Sequence, residues 1–396
     1  MVDATTTSVV STTGTSTSTA SATCVSVAPG KNGYLPPDAC NNILFYVPSL
    51  GAAVLFFLLY CLTFAVHVGE GFYFKKRYTW VVSMGALWEA VAFFFRCLQT
   101  RHQNDEGYDS GYTIFFLLAP LWINAFLYMT LGRMIYFFVE DRKLGGISAQ
   151  NYGVIFVWLD VIAFLVQLAG ASITSQTDSS QSTIMIGVHI YMGGIGIQEL
   201  FIVIFTCLFV KLHTQMLHAE RIGVLDMEKV NRGSLNWRWV FYGTYISLAM
   251  ITIRIIFRLA QYAQGTNPNN PVLTHEFYEY VFDALPIFIA LVILNWLHPG
   301  RVLKGEDSEF PRISSKERKR LKREKLDARR AEKEERRQAR RNRGKRESRP
   351  GFNFRFSPIQ EEGAASVFAP APSFYDTPSV PAAPPQYHEI STQQRP

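Results

Sequence analysis

Apolar residues along this chain do not alternate, and they rarely fall on one helical face. They run in seven long blocks separated by polar punctuation, at 43–68, 78–98, 113–139, 152–173, 184–210, 239–262 and 277–297. Each block reaches or passes the roughly 20 residues needed to cross a hydrocarbon core of about 30 Å as a helix. A strand-built barrel would show period-two alternation, and none is present. The pattern therefore predicts an all-α membrane protein, a bundle of seven transmembrane helices, and excludes an ordinary soluble enzyme.

Charge then orients the bundle. The first, third and fifth loops carry ten basic residues: Lys75, Lys76, Arg77, Arg142, Lys143, Lys211, Arg221, Lys229, Arg232 and Arg238. The second, fourth and sixth loops carry one, Arg101. Basic loops stay in the cytosol, so the N-terminus is expected outside and the C-terminus inside. Overall net charge is +7, yet residues 1–300 hold 16 Lys and Arg against 18 Asp and Glu. Basicity belongs to the tail.

Four regions follow from these shifts. Residues 1–42 form a Ser/Thr-rich extracellular arm, with 15 Ser or Thr among residues 4–26. It has no basic stretch leading into an apolar one, so the first span is expected to act as the targeting signal. Residues 43–298 are the membrane domain, 299–350 a basic juxtamembrane segment, and 351–396 a disordered Pro-rich tail. The run Lys316–Arg349 holds 18 basic and 7 acidic residues, which predicts a charged helix beside anionic lipid headgroups rather than a nucleic-acid site. Pro384, Pro385 and Tyr387 lie in a P-P-x-Y sequence that suits the groove of a WW-domain ubiquitin ligase. Cys24 and Cys40 both fall on the oxidising side, where a disulfide would tether the arm. Cys61, Cys97 and Cys207 fall inside spans and are read as packing residues.

Six spans contain an acidic residue or an arginine. An ionised side chain at mid-bilayer costs about 3 kcal/mol even on the lenient insertion scale, so these groups must face inward. Glu89, Asp160 and Glu199 sit near mid-span. Arg96, Arg258 and Glu279 are near enough to the outer ends to snorkel outward, and Arg133 towards the cytosol. Arg254 and Asp283 fall at similar depth and are expected to pair. Glu89 and Arg96 are seven residues apart, as are Asp160 and Gln167, so each pair shares a helix face. Together with Glu199, Arg254, Arg258 and Asp283 they are the candidate cavity-lining or coupling residues. Pro120 and Pro286 are expected to kink spans three and seven and free carbonyls there. The Met192–Gly196 stretch, MGGIG, is expected to permit close helix contact.

With these residues assembled, the chain resembles the fungal RTA-like family of seven-span lipid-translocating exporters, from about Tyr34 to Gly300. Tyr34-x-Pro36 with Asn41 resembles that family's entry into span one. Glu89, Phe93 and Arg96 match its span-two pattern. Leu118-Ala119-Pro120, Ala125, Tyr128 and Gly132-Arg133 resemble span three, and Asp160, Gln167 and Gly170 span four. Gln198 resembles span five, Arg254-x2-Phe257-Arg258 span six, and Glu276-x3-Tyr280-x2-Asp283 with His298-Pro299 span seven. The chain departs from the pattern where Ala92 replaces a frequent Gly and Gln261 an acid. The resemblance implies a multi-pass protein, of the plasma membrane first and endomembranes second, that moves amphipathic lipids such as sphingoid long-chain bases or protects against lipid-like toxic compounds.

No cofactor, metal or enzymatic activity is implied. A phosphate-binding G-x4-G-K-[ST] loop is absent, so ATP cannot be the intrinsic drive, and no span carries a lysine for a retinal Schiff base. Transport would be facilitated, proton-coupled through carboxylates such as Glu89 or Asp160, or partner-driven. Two rivals remain. One is a seven-span receptor or sensor, although Gly132-Arg133 lacks an acid-Arg-Tyr switch. The other is an intramembrane metal-dependent lipid hydrolase using His67, His213 and His298, which end spans one, five and seven.

Overall fold

Pro48 and Ser49 decide where the first span begins. Ser49 accepts the Ala52 amide at 3.4 Å, and the helix runs Leu50–Phe74, several residues later than the apolar run suggested. In the computed structural model the remaining spans are Trp80–Gln99, Glu106–Phe138, Asn151–Thr174, Gln181–Arg221, Trp237–Tyr262, and a seventh built from Glu276–Glu279, Tyr280–Ala284 and Leu285–Trp296. The structure describes residues 25–347 except 37–38, 40–41, 45, 175–179, 264, 266–269 and 312–314. Seven helices are thus long and apolar enough to cross a membrane. Cys24, Cys40 and the P-P-x-Y sequence lie outside the described residues.

Cap residues fix the other starts. Asp105 accepts from Gly107 at 2.8 Å to open span three, and Asn236 accepts from Arg238 at 3.0 Å to open span six. Span five is the longest, 41 residues, so at 1.5 Å per residue it extends about 60 Å, well past the hydrocarbon thickness. The loop between spans three and four folds into a two-stranded ladder, Lys143 opposite Ser148 and Leu144 opposite Ile147. Its turn is Gly145-Gly146, both with positive φ (54° and 81°), the geometry a two-residue hairpin demands. The hairpin was not anticipated from the apolar pattern.

Each span packs on its neighbours in sequence order, and the seventh returns against the first, closing a ring. Outward faces are apolar: Leu58 and Leu62 on span one, Trp158 and Leu165 on span four. Inward faces carry aromatics such as Tyr60, Phe93, Phe116 and Tyr128, along with nearly all the charge. This inversion is what lipid as a solvent requires.

Spans four and five approach most closely through glycines. A Cβ on Gly170 would lie 2.4 Å from the Tyr191 amide nitrogen, and one on Gly187 would lie 2.9 Å from the Gly170 carbonyl. In the MGGIG stretch Gly194 faces Gln167 and Ala163, whereas Gly193 and Gly196 face open space. Close contact was expected there, and one glycine of the three provides it.

At the end bearing the first, third and fifth loops (the odd end), the chain after span seven tucks under the bundle. Lys76, 8% exposed, donates to Ser308 Oγ at 2.5 Å, and burial holds its ammonium below the usual lysine pKa. Arg133 does not snorkel. Its guanidinium lies 3.7 Å over the Tyr78 ring and 5.0 Å from that of Phe310, a stacked position that shields it. Residues Ser315–Glu347 form a separate unit, a single helix whose described side chains are exposed and joined by pairs such as Arg320–Glu324 at 2.8 Å.

The glycine seam predicts a position-specific response. Gly170→Val should cost about 1–3 kcal/mol through overpacking, lowering the melting temperature of detergent-purified protein, while Gly196→Ala leaves it unchanged. Equal melting of the two variants would contradict the seam.

Candidate substrate cavity and its charge network

The site is assembled at the opposite, even end, where span seven begins with acids at 276, 279 and 283. These positions recur every three or four residues and so share one face of the helix. Span two brings Arg96 to them. Its Nη2 reaches Glu276 Oε1 at 3.3 Å and Glu279 Oε2 at 3.4 Å, and also contacts the Tyr46 hydroxyl. Nη1 donates to Gln99 at 2.7 Å, and Gln99 in turn donates to Asp109 Oδ1 at 2.7 Å. Tyr46 and Tyr112 each donate to Glu279 at 2.8 Å and flank the guanidinium with their rings. Arg96 is 1% exposed. The expected outward snorkelling of Arg96 and Glu279 is therefore replaced by mutual pairing under a lid of tyrosines. Tyr46 falls inside the first apolar run, 43–68, but the helix begins only at Leu50, so the residue precedes the span and folds over the network.

One tier deeper, Asp283 takes ion pairs from both Arg254 and Arg258. The Arg254–Asp283 pairing matches expectation. Arg258, near enough to the outer end to snorkel, instead turns in, because it lies one helical turn from Arg254 on the same face and reaches the same carboxylate. The second partner of Arg254 comes from Pro120. A proline cannot donate to the carbonyl four residues back, which leaves Phe116 O free. Arg254 Nη2 donates to that oxygen at 2.9 Å, and the Phe116 ring lies 4.4 Å from one guanidinium and 5.2 Å from the other. Span three continues as helix through Pro120. In span seven, Pro286 follows one wide turn at Tyr280–Ala284, where Leu285 N bonds Tyr280 O five residues back. The nearby Ala284 carbonyl accepts from Tyr60 at 2.7 Å, tying span one to span seven.

Between these tiers opens a cavity of about 350 Å³. Its polar wall holds Tyr46, Arg96, Asp109, Arg258 and Glu279, and its apolar wall Leu44, Phe116, Leu117, Val188 and Leu273. A void of about 30 Å³ lies beyond it, lined by Pro120, Gln167, Gln198 and Arg254 and sharing Leu117, Tyr191 and Arg258 with the cavity. Gln167 donates to Gln198 at 2.8 Å.

The other candidates stand apart from this route. Glu89 is fully buried with no hydrogen bond to either oxygen among the described residues, its electrostatic neighbours being Arg254, Asp283 and Arg258. It shares a helix with Arg96 but does not pair with it. Asp160 accepts from Asn124 at 3.0 Å and Tyr128 at 2.9 Å, and Glu199 from Thr252 at 3.1 Å. Neither void is lined by Glu89, Asp160 or Glu199. Asp109, at the start of span three, was missed, although an acid one turn beyond a helix cap was visible in sequence.

No group of three or more His, Cys, Asp or Glu among the described residues is arranged to hold a metal ion. His298 accepts from Gly300 N at 3.0 Å and stacks on Phe74, while His213 stacks on Phe241 and contacts Tyr245 at 3.2 Å. His67 Nδ1 lies 4.0 Å from Glu70 Oε2, and the three histidines that ended the spans in sequence do not form a metal-ligand group among the described residues. Cys61, Cys97 and Cys207 are unpaired.

This is a seven-span helical membrane protein with a charged, aromatic-walled cavity at one end. A sequence profile described as "RTA1 like protein" matches residues 82–306, and the chain belongs to that family. It is 58% identical over 307 residues, 78% of this chain and 80% of the other, to a protein of Emericella nidulans named "Probable lipid transporter atnI". It is 23% identical over 307 residues (70% and 79%) to the sphingoid long-chain base transporter RSB1 of Saccharomyces cerevisiae. Protoporphyrin uptake protein 1 of the same yeast is 27% identical over 213 residues (53% and 65%). No solved structure matches.

The network makes one energetic prediction. Asp283→Asn removes the carboxylate that both buried guanidinium groups pair with, a loss of about 3–5 kcal/mol. Folded yield and melting temperature should both drop sharply, and Arg258→Met added to Asp283→Asn should recover part of the loss. An Asp283→Asn variant that melts like the parent would refute the pairing's structural role.

Proposed function

We propose that this protein translocates amphipathic lipids or lipid-like compounds, cationic long-chain bases among them, across the membrane. The observation that carries the reading is the cavity's two-sided chemistry. One wall is apolar enough for an alkyl chain, the other presents charges and phenols for a headgroup, and its volume is in the range of small-molecule sites. Asp109 is the residue assigned to an ammonium. Gln99 occupies its Oδ1, and Oδ2 has no partner among the described residues. Arg96 and Arg258 are already committed to Glu279 and Asp283 and set the electrostatics around it. The names of the relatives, two of which denote transporters, support this reading over a receptor.

The even end is assigned to the cell exterior from loop charge, which would put the cavity mouth outside and the termini on opposite sides; the plasma membrane is proposed as the site of action from the family resemblance. On the same reading the Ser315–Glu347 helix meets anionic headgroups, and Pro384, Pro385 and Tyr387 recruit a WW-domain ligase. Glu89 and Asp160, buried and partly unbonded, are assigned to coupling.

Reconstituted vesicles loaded with a fluorescent long-chain base test the transport reading. Hydrogen bonds to a charged group contribute about 1.5–3 kcal/mol, so Asp109→Asn should raise the half-saturating concentration at least tenfold while leaving flux of an uncharged analogue intact. Glu89→Gln and Asp160→Asn should lower maximal flux. Full transport by all three variants, present at normal levels, would overturn the assignment. Orientation is tested in intact cells. Arg101→Cys should react with an impermeant maleimide, and Val224→Cys only after permeabilisation; the reverse pattern would invert the protein.

A further inference from the structure

A second cavity, of about 480 Å³, lies at the odd end between spans one and two, far from the charge network in chain and in chemistry. Phe64, Val68 and Phe72 of span one face Trp80 and Met84 of span two across it, and the turn Lys75-Lys76-Arg77 closes its end. The turn is built to separate its three cations. Lys75 takes a left-handed backbone conformation (φ 54°) at the end of span one, and Lys76 is pulled inward by Ser308. Lys75 and Arg77 are left exposed on either side of it. Neither has an acidic partner among the described residues, whereas Lys229, Arg232 and Arg238 of the fifth loop each do. Phe72 is 80% and Trp80 54% exposed, the aromatic signature of headgroup depth.

We propose that this crevice is a binding site for one anionic glycerophospholipid, with its charged headgroup between Lys75 and Arg77 and an acyl chain along Phe64, Val68 and Met84. Two features distinguish it from the general lipid-facing surface. The apolar walls come from two spans and form a groove, and the unneutralised cations stand at its headgroup end, complementary to an anion with an attached chain. A free phosphate would satisfy the cations and leave the groove empty. The site does not use the even-end cavity, and it holds whichever way the protein crosses the membrane.

The test uses the full chain in mixed micelles containing brominated phosphatidylserine or brominated phosphatidylcholine. Quenching of Trp80 is read as the difference between the parent and Trp80→Phe. Each cation near an anionic headgroup is worth roughly a fivefold preference, so half-quenching should need about tenfold to 30-fold less phosphatidylserine than phosphatidylcholine. In Lys75→Asn/Arg77→Gln the two lipids should quench alike; Asn is chosen at 75 because it tolerates positive φ. Val68→Phe, which fills the groove without touching charge, should weaken quenching by both. Equal quenching in the parent overturns the site, as does a preference that survives Lys75→Asn/Arg77→Gln or quenching unchanged in Val68→Phe. Should the double variant not yield folded protein, the parent's own salt dependence decides. A serine-headgroup preference that stays constant up to high salt refutes the two-cation clamp, and one that fades supports it.

Discussion

An ionised side chain inside a membrane bundle must find its counter-charge within the protein, and Asp283 is where this chain meets that demand. Its carboxylate serves two arginines from span six. One of those arginines also takes the carbonyl that Pro120 leaves free in span three. Spans three, six and seven are thereby locked at one depth by a constraint that apolar packing alone cannot impose, since lipid solvates leucine as well as protein does. Arg96 repeats the arrangement nearer the even end, joining span two and the segment before span one to the same face of span seven. Span seven is therefore the electrostatic spine, and its wide turn at Tyr280–Ala284 follows Glu279 of the outer tier and carries Asp283 of the deeper one.

Span one depends on this arrangement without contributing charge to it. It carries no acid or arginine through its apolar stretch, turns most of its surface outward, and is joined to the ring by Tyr60 on the Ala284 carbonyl and by the stacking of Phe56 and Tyr60 on Phe93. A helix held by stacked rings and by hydrogen bonds such as those of Tyr60 and Ser49, with no ion pair to a neighbouring span among the described residues, can shift relative to its neighbours at less cost than one held by buried ion pairs. Both the even-end cavity, through Tyr46, and the odd-end crevice, through Phe64 and Val68, border this span or the segment leading into it.

Span number, order and the inward placement of charge were legible because each is enforced by the solvent: a run of apolar residues has nowhere else to go, and a charge has one side to face. The Arg254–Asp283 pair was legible for the same reason. What sequence did not disclose were choices among internal partners. Arg96 had Glu89 one face-length away on its own helix and took Glu276 and Glu279 instead, a preference set by where span seven crosses span two. Helix ends were least legible. The polar continuation of span five to Arg221 and the late start of span one reflect capping and helix propensity, which the hydropathy of the runs does not encode. The Gly145-Gly146 turn stands plainly between Leu144 and Ile147, but strands of two residues are too short to leave a periodicity in the sequence.

The vertical order of polar groups bears on how an amphiphile moves. From the even end inward lie the carboxylate of Asp109, then two arginines paired with Asp283, then the neutral Gln167–Gln198 pair. The route narrows from about 350 Å³ to about 30 Å³ where Phe116 lies under both guanidinium groups. On the proposed transport reading, a headgroup received at Asp109 would face a step at which the arginine–Phe116 layer must open, and opening it would exchange contacts of Arg254 or Arg258 for contacts with the cargo. A cationic headgroup supplies no acceptor for an arginine but competes for Asp283, whereas an anionic one does the reverse. On the proposed transport reading, the same layer that fixes the fold is the layer at which charge would select the cargo. A mutation that neutralises one arginine should alter selectivity and stability together, because a single set of ion pairs carries both.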